Sequence, residues 1–195
     1  HERALEKGTS LRDAFKLVEK FRETNVETAI VFMGYMNTFE SLGAQEFMIE
    51  ADKVGLDGIL IVDMPPEESS DFTKYAEERS IDIIRLIAPT TSSARSKIIC
   101  SQASGYIYYI SVKGITGAGN LDAEDVKINV KELRQHTNLP IAIGFGIKDS
   151  ASASSVKEVA DGIVVGSVFV DLIGEGGDIL KKVKDKTKEL SEALS

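Results

Sequence analysis

Six short apolar runs, rich in β-branched residues, recur along the chain at residues 29–35, 58–63, 81–88, 106–111, 140–144 and 162–166. None shows the strict apolar-polar alternation of a sheet with one wet face. Each therefore reads as a strand buried on both sides, as in parallel sheets covered by helices. Parallel neighbours need a crossover of about a dozen residues or more. The chain supplies one each time, because the strand starts at 29, 58, 81, 106, 140 and 162 lie 29, 23, 25, 34 and 22 positions apart. Helical spacing of apolar residues fills the intervals, near residues 41–54, 67–79, 93–104, 125–137, 150–160 and 178–194. One more helix precedes the first strand: Ser10 is its cap, with Asp13 near a capping-box position, and Leu11, Ala14, Phe15, Val18 and Phe21 repeat on one face. A helix followed by six βα units leaves two α/β architectures, a (β/α)8 TIM barrel or an open doubly wound sheet.

A (β/α)8 barrel takes about 250 residues, so six units in 195 residues fall about two short. The chain opens on His1 inside a helix-like stretch, Arg3-Ala4-Leu5-Glu6-Lys7, that stops at Gly8. These features predict residues 1–195 as a single barrel domain lacking roughly its first two strands. The alternative is a complete six-stranded doubly wound domain. With 31 acidic against 23 basic residues and a net charge of −8, the chain has no cationic run suited to a nucleic-acid backbone. The Lys181-Lys182-Val183-Lys184-Asp185-Lys186 stretch reads as the solvated face of the last helix. No apolar segment approaches the roughly 20 residues of a membrane span, and the opening residues lack a signal-peptide core, so a cytoplasmic location is expected. The only cysteine, Cys100, excludes an intrachain disulfide and reads as a buried small hydrophobe; with His1 and His136 it leaves too few ligands for a zinc site.

In parallel α/β proteins ligands sit at the C-terminal ends of the strands. Those ends are Tyr35-Met36-Asn37, Asp63-Met64-Pro65-Pro66, Ala88-Pro89-Thr90-Thr91, a glycine-dense stretch at 111–119, Gly144-Phe145-Gly146 and Gly166-Ser167. Glycines after consecutive late strands let backbone amides approach phosphate oxygens, and Gly166-Ser167 opens a short apolar helix at 168–173 whose first turn presents free N–H groups. The segment from Ser111 to Asn120, with three glycines in ten residues, suits a mobile lid over a bound substrate, the alternative being disorder without function. Tyr106 and Tyr108 share one face of their strand and Ile107 and Tyr109 the other, and either pair can line a pocket. Asp63 ends an apolar strand, where an acid serves either the site or a helix cap.

Tyr106-Ile107-Tyr108-Tyr109-Ile110-Ser111-Val112-Lys113-Gly114-Ile115-Thr116-Gly117 resembles the sixth strand and lid of tryptophan synthase alpha chains, and Asp63-Met64-Pro65-Pro66-Glu67-Glu68-Ser69 resembles the end of their fourth strand. Met33-Gly34-Tyr35-Met36-Asn37, Gly144-Phe145-Gly146-Ile147 and Gly166-Ser167 follow that family in order, and Arg3-Ala4-Leu5 resembles the helix after its second strand. The resemblance implies a lyase of L-tryptophan biosynthesis that cleaves indole-3-glycerol phosphate to indole and glyceraldehyde 3-phosphate. Gly117, Phe145, Gly146, Gly166 and Ser167 resemble its phosphate-binding residues. Met33, Tyr35, Leu60 and Tyr108 resemble the wall of its indole pocket. Thr116, Tyr108 and Asp63 take supporting roles, and Asn37 and Pro65 lie where the beta-chain surface is built. No cofactor is implied, pyridoxal phosphate belonging to the partner beta chain of an alpha2beta2 complex.

The reaction needs a base at the glycerol hydroxyl, an acid at indole C3 and a carboxylate near the indole nitrogen. By the resemblance, the glutamate and aspartate that do this precede His1, so these 195 residues by themselves are expected to be inactive. Another phosphate-binding barrel enzyme would share the late glycines, but would carry its own catalytic Asp or Lys at the strand ends. A non-catalytic barrel piece, binding only phosphate or a partner, is the remaining alternative.

Overall fold

The computed structural model describes residues 6–111 and 123–195. Two compact units emerge, His1–Arg85 with Gln102–Gly105, and Leu86–Ser101 with Tyr106–Ser195.

The first unit begins with α1 (Leu11–Arg22), where Asp13 accepts hydrogen bonds from the Ser10 amide at 3.0 Å and its hydroxyl at 2.7 Å. Then follow β1 (Val31–Gly34), α2 (Met36–Glu40), α3 (Ala44–Val54), β2 (Gly58–Ile61), a 3-10 turn (Pro66–Glu68), α4 (Ser70–Glu77) and β3 (Asp82–Ile87), whose last two residues belong to the second unit. β1 pairs with β2 and β2 with β3, both parallel, in the register Met33↔Leu60↔Ile84. The residues between these, Phe32, Ile59, Ile61 and Ile83, join Phe15, Phe39, Phe47, Met48, Ala51 and Phe72 in the layer between strands and helices. Phe47 is the hub, 4.9 Å from the Phe39 ring edge-on and 5.5 Å from that of Phe15.

Helix limits in this unit differ from expectation. The helix expected at 41–54 starts only at Ala44, because Gly43 takes φ 77° and breaks the run. Before it lies α2, a single helical turn too short to leave a periodic signal.

The second unit carries α5 (Ser93–Ser101), β4 (Ile107–Ile110), α6 (Ala123–Leu133), β5 (Ile141–Gly144), α7 (Ser150–Ser154), β6 (Gly162–Val164), α8 (Ser167–Glu175) and α9 (Ile179–Leu194). β4, β5 and β6 are parallel in sequence order. The helix expected at 150–160 is only the five residues of α7, followed by turns. Cys100 is buried, as its reading as a small hydrophobe requires. The lysine-rich run lies on α9, with Lys182 2.8 Å from Glu175 and Lys186 2.7 Å from Glu189.

The N-terminal ends of two strand pairs are locked by the same device. Asp57, just before β2, accepts the Ile30 amide at 2.6 Å and Arg22 Nη2 at 2.6 Å. Asp161, just before β6, accepts the Ile141 amide at 2.7 Å and Arg134 Nη2 at 2.7 Å. In each case an arginine at the end of a helix neutralises the acid that staples two strand starts together. Burial pushes the Asp161 carboxyl upward, but the Ile141 amide and Arg134 outweigh it, leaving its pKa below the ordinary value. A folded pKa below the unfolded one stabilises the protein above the unfolded value of about 3.9, and that contribution fades as pH falls through the folded pKa. Asp161→Asn should therefore lose less of its urea midpoint between pH 7 and pH 3 than the unsubstituted protein does. Equal losses would remove Asp161 from the acid sensitivity of the fold.

Candidate functional site

At the end of β1 the backbone turns directly into α2. Asp63, just past β2, supplies the cap: its Oδ1 accepts the Met36 amide at 2.7 Å, satisfying a first-turn N–H of the neighbouring helix. The open choice for Asp63 between site acid and helix cap thus has a cap in it, and the cap belongs to α2. Beside this turn a Cβ at Gly34 would stand 3.1 Å from the Phe39 ring, a tight contact that the ring would have to relieve by a small shift. Tyr35 and Asn37 are exposed, and Pro65 is half-buried immediately before the 3-10 turn.

Met33 and Leu60 are register partners on the strand face turned away from the helix layer. Leu60 is buried, whereas Met33 is 51% exposed and Tyr35, two residues on, 52%. That face thus offers apolar contact surface next to a strand end.

In the second unit the tyrosine strand divides by face. Tyr109 looks toward the helices, lining a cavity of about 30 Å³ with Ser96 of α5 and Asn129 and Leu133 of α6. Burial pushes its pKa up to about 12, with Asp125 adding to the rise and Asn129 opposing it. Tyr108 takes the other face, where its hydroxyl lies over Gly144 so closely that a Cβ there would be 2.0 Å from it. Its ring meets Phe145 edge-on at 6.3 Å between centroids. Burial first, and then Tyr106, raise the Tyr108 pKa, so the phenol stays protonated.

Just past β5, Phe145 and Gly146 hold left-handed φ values of 66° and 81°. A phenylalanine in that region stores strain of about 1 kcal/mol or more. The buried Ser111 opposes it: its amide donates to the Gly144 carbonyl at 3.0 Å, and its hydroxyl lies against the Gly144 and Phe145 carbonyls. Through the register Gly144↔Val164, this loop neighbours the one after β6. There Gly166 starts α8 at φ −118°, and no atom lies within 4 Å of the Cβ it lacks. Neither backbone angle nor packing demands glycine at 166. In the first turn of α8 the Phe169 amide donates to the Gly166 carbonyl at 3.1 Å, while the Ser167 and Val168 amides before it precede any intrahelical acceptor and lie at the helix's positive end. Phe145, Gly146, Gly166 and Ser167 thus stand on two adjacent strand ends, while Thr116 and Gly117 lie outside the described residues.

Two residues have contacts that the sequence does not signal as functional. Ser111 reads in the sequence as the end of its strand and the start of the lid segment. Arg85 interrupts Ile83-Ile84-Arg85-Leu86-Ile87 and is 4% exposed, and a charge inside an apolar run is a signal of its own. Among the described residues no group of three or more His, Cys, Asp or Glu is placed to hold a metal ion.

The family model for "Tryptophan synthase alpha chain" matches residues 1–195. The alpha chain of Acinetobacter baumannii is 42% identical over 195 residues, covering 99% of this chain and 73% of the relative. That of Psychrobacter arcticus is 43% identical over 201 aligned positions, covering 99% and 72%. Among solved structures, the alpha subunit of Legionella pneumophila superposes with a TM-score of 0.88 at 32% identity, covering 99% of this chain and 72% of that one. The Pyrococcus furiosus tryptophan synthase a2b2 complex matches with a TM-score of 0.88 at 36% identity, covering 98% and 78%. The fold class is that of these α/β TIM barrels, with about six of the eight βα units in this chain.

Proposed function

Because this chain belongs to the tryptophan synthase alpha chain family of lyases, we propose that it serves the cleavage of indole-3-glycerol phosphate to indole and glyceraldehyde 3-phosphate. The observation that carries this reading is Gly166, a glycine the fold does not require, at the positive end of α8 beside the strained Phe145-Gly146 loop. A phosphate monoester there accepts hydrogen bonds from the first-turn amides and the Ser167 hydroxyl, and a side chain at 166 would stand in its way. Phe145 and Gly146 complete this cradle, and the resemblance assigns Gly117 to the same phosphate.

For the indole ring we assign Met33, Tyr35 and Leu60, and the same role to Tyr108, whose protonated phenol donates a hydrogen bond without introducing charge. Thr116 and Asp63 support the chemistry. Asp63, whose Oδ1 accepts the Met36 amide, is assigned a supporting role and not that of the base. The proton transfers of the reaction fall to the two catalytic carboxylates that the resemblance implies for the family. Residues 1–195 are read as one barrel domain. The chain requires no cofactor of its own, and its partner is a beta chain, which holds pyridoxal phosphate and receives indole at a surface including Asn37 and Pro65. No described helix is long and apolar enough to cross a membrane, and we place the protein in the cytoplasm.

The test is an indole-release assay on the intact subunit with saturating beta chain and indole-3-glycerol phosphate. Indole formation is expected. An intact subunit that releases no indole would overturn the assignment.

A further inference from the structure

We propose that Arg85 is a positioning residue for the partner-facing surface, holding the turn after β2 and, through it, the start of α2. The proposal rests on the reading above that Asn37 and Pro65 face the beta chain.

Arg85 lies on β3, on the strand face that carries Ile83 toward the helices, and its guanidinium is buried. Its Nη2 donates to the Ser69 hydroxyl at 2.6 Å, Nη1 to the Met64 carbonyl at 3.3 Å, and Nε to the Gln102 carbonyl at 3.4 Å. Ser69 in turn donates to the Pro66 carbonyl at 2.8 Å and accepts from the Thr73 hydroxyl at 3.3 Å. One cation therefore grips both ends of the segment 64–69, the segment that contains Pro65. Immediately before it, Asp63 caps α2 through the Met36 amide, and Asn37 is the next residue. The linkage runs from Arg85 to Met64, to Asp63 and to Met36, so the two segments assigned to the partner share one anchor. Burial lowers the Arg85 pKa and Glu67 pulls it back up, which places a compensating charge on the turn that the guanidinium holds.

A cation buried for stability alone would be a poor investment, since well-packed apolar residues of similar volume often do as well. Its three acceptors, on segments 16 to 21 residues away, are what an apolar side chain cannot replace.

The test compares Arg85→Met and Ser69→Ala with the unsubstituted intact subunit. Each is titrated with its beta chain at a temperature where circular dichroism shows it folded, and the KM for indole-3-glycerol phosphate is measured on each subunit without its partner. Arg85→Met is expected to weaken the beta-chain Kd roughly tenfold, the equivalent of one charge-assisted hydrogen bond. Ser69→Ala, which keeps the charge and removes its best acceptor, should weaken it in the same direction by less. The KM should be unchanged in both. A folded Arg85→Met subunit with unaltered Kd overturns the proposal, as does a fall in phosphate-ester binding that matches the loss of partner affinity. If Arg85→Met does not fold, Ser69→Ala decides, and an unaltered Kd there overturns it. An unsubstituted subunit that fails to bind the beta chain overturns the partner reading and this proposal together, whereas variants equal to a binding parent overturn this proposal only.

Discussion

Gly166→Asp in the intact subunit is expected to lower affinity for glycerol 3-phosphate by roughly a thousandfold. The position begins α8, and no atom lies within 4 Å of the missing Cβ, so the aspartate side chain has room to enter the space where a phosphate would meet the first-turn amides. Like charges about 4 Å apart at an effective dielectric near 20 repel by about 4 kcal/mol, which is about three decades of affinity. The carboxylate would also accept the helix N–H groups itself, competing for the donors as well as repelling the anion. Gly166→Ala is the control for folding: φ at this residue is −118°, open to any L-residue, so its thermal midpoint should match the parent while its affinity falls only by the crowding of one methyl. Equilibrium titration with glycerol 3-phosphate reads both variants. Unchanged affinity in Gly166→Asp would move the phosphate elsewhere and remove the main support for the functional assignment.

Phe47→Ala should cost about 3–5 kcal/mol of unfolding free energy, a large part of the roughly 5–15 kcal/mol that holds a domain together. Phe47 is fully buried, and rings from α1, α2 and α4 converge on it: Phe15 at 5.5 Å, Phe39 at 4.9 Å and Phe72 at 6.5 Å. Removing it leaves a cavity that three stiff aromatic rings cannot fill by rotamer changes. The Phe39 ring also rests against Gly34, so the damage reaches the end of β1 and the start of α2. Leu180→Ala is the control, 85% exposed and expected to change stability by about 0.5 kcal/mol or less. Urea titration of the pair checks the result, and a cost below about 1 kcal/mol for Phe47→Ala would mean that this aromatic cluster repacks.

All six strands were legible because each is a short, mostly apolar run rich in β-branched residues and separated from the next by a helix-length interval, a local property that tolerates Arg85 inside β3 and the exposed Met33 of β1. The strand-end residues were legible for a related reason: once strands are parallel, their C-terminal ends share one side, so Gly144-Phe145-Gly146 and Gly166-Ser167 could be grouped before any coordinate was known. Helix limits were less legible. α2 exists as a turn capped by Asp63, 27 residues further along, and five residues carry too little periodicity to be seen. The two-residue period paired Tyr106 with Tyr108 against Tyr109, but it is silent on which face meets the helices.

The sequence by itself therefore determined the α/β class, the order of the elements and which residues end the strands, because those follow from hydrophobic period and crossover length. Tertiary structure decided what depends on neighbours distant in the chain: that Tyr109 turns to α6 while Tyr108 covers Gly144, that Asp63 caps α2, and that Arg85 holds the turn after β2. The physical reason is that a hydrogen bond or a close contact belongs to two groups at once, and a linear pattern records only the residue at one end of it.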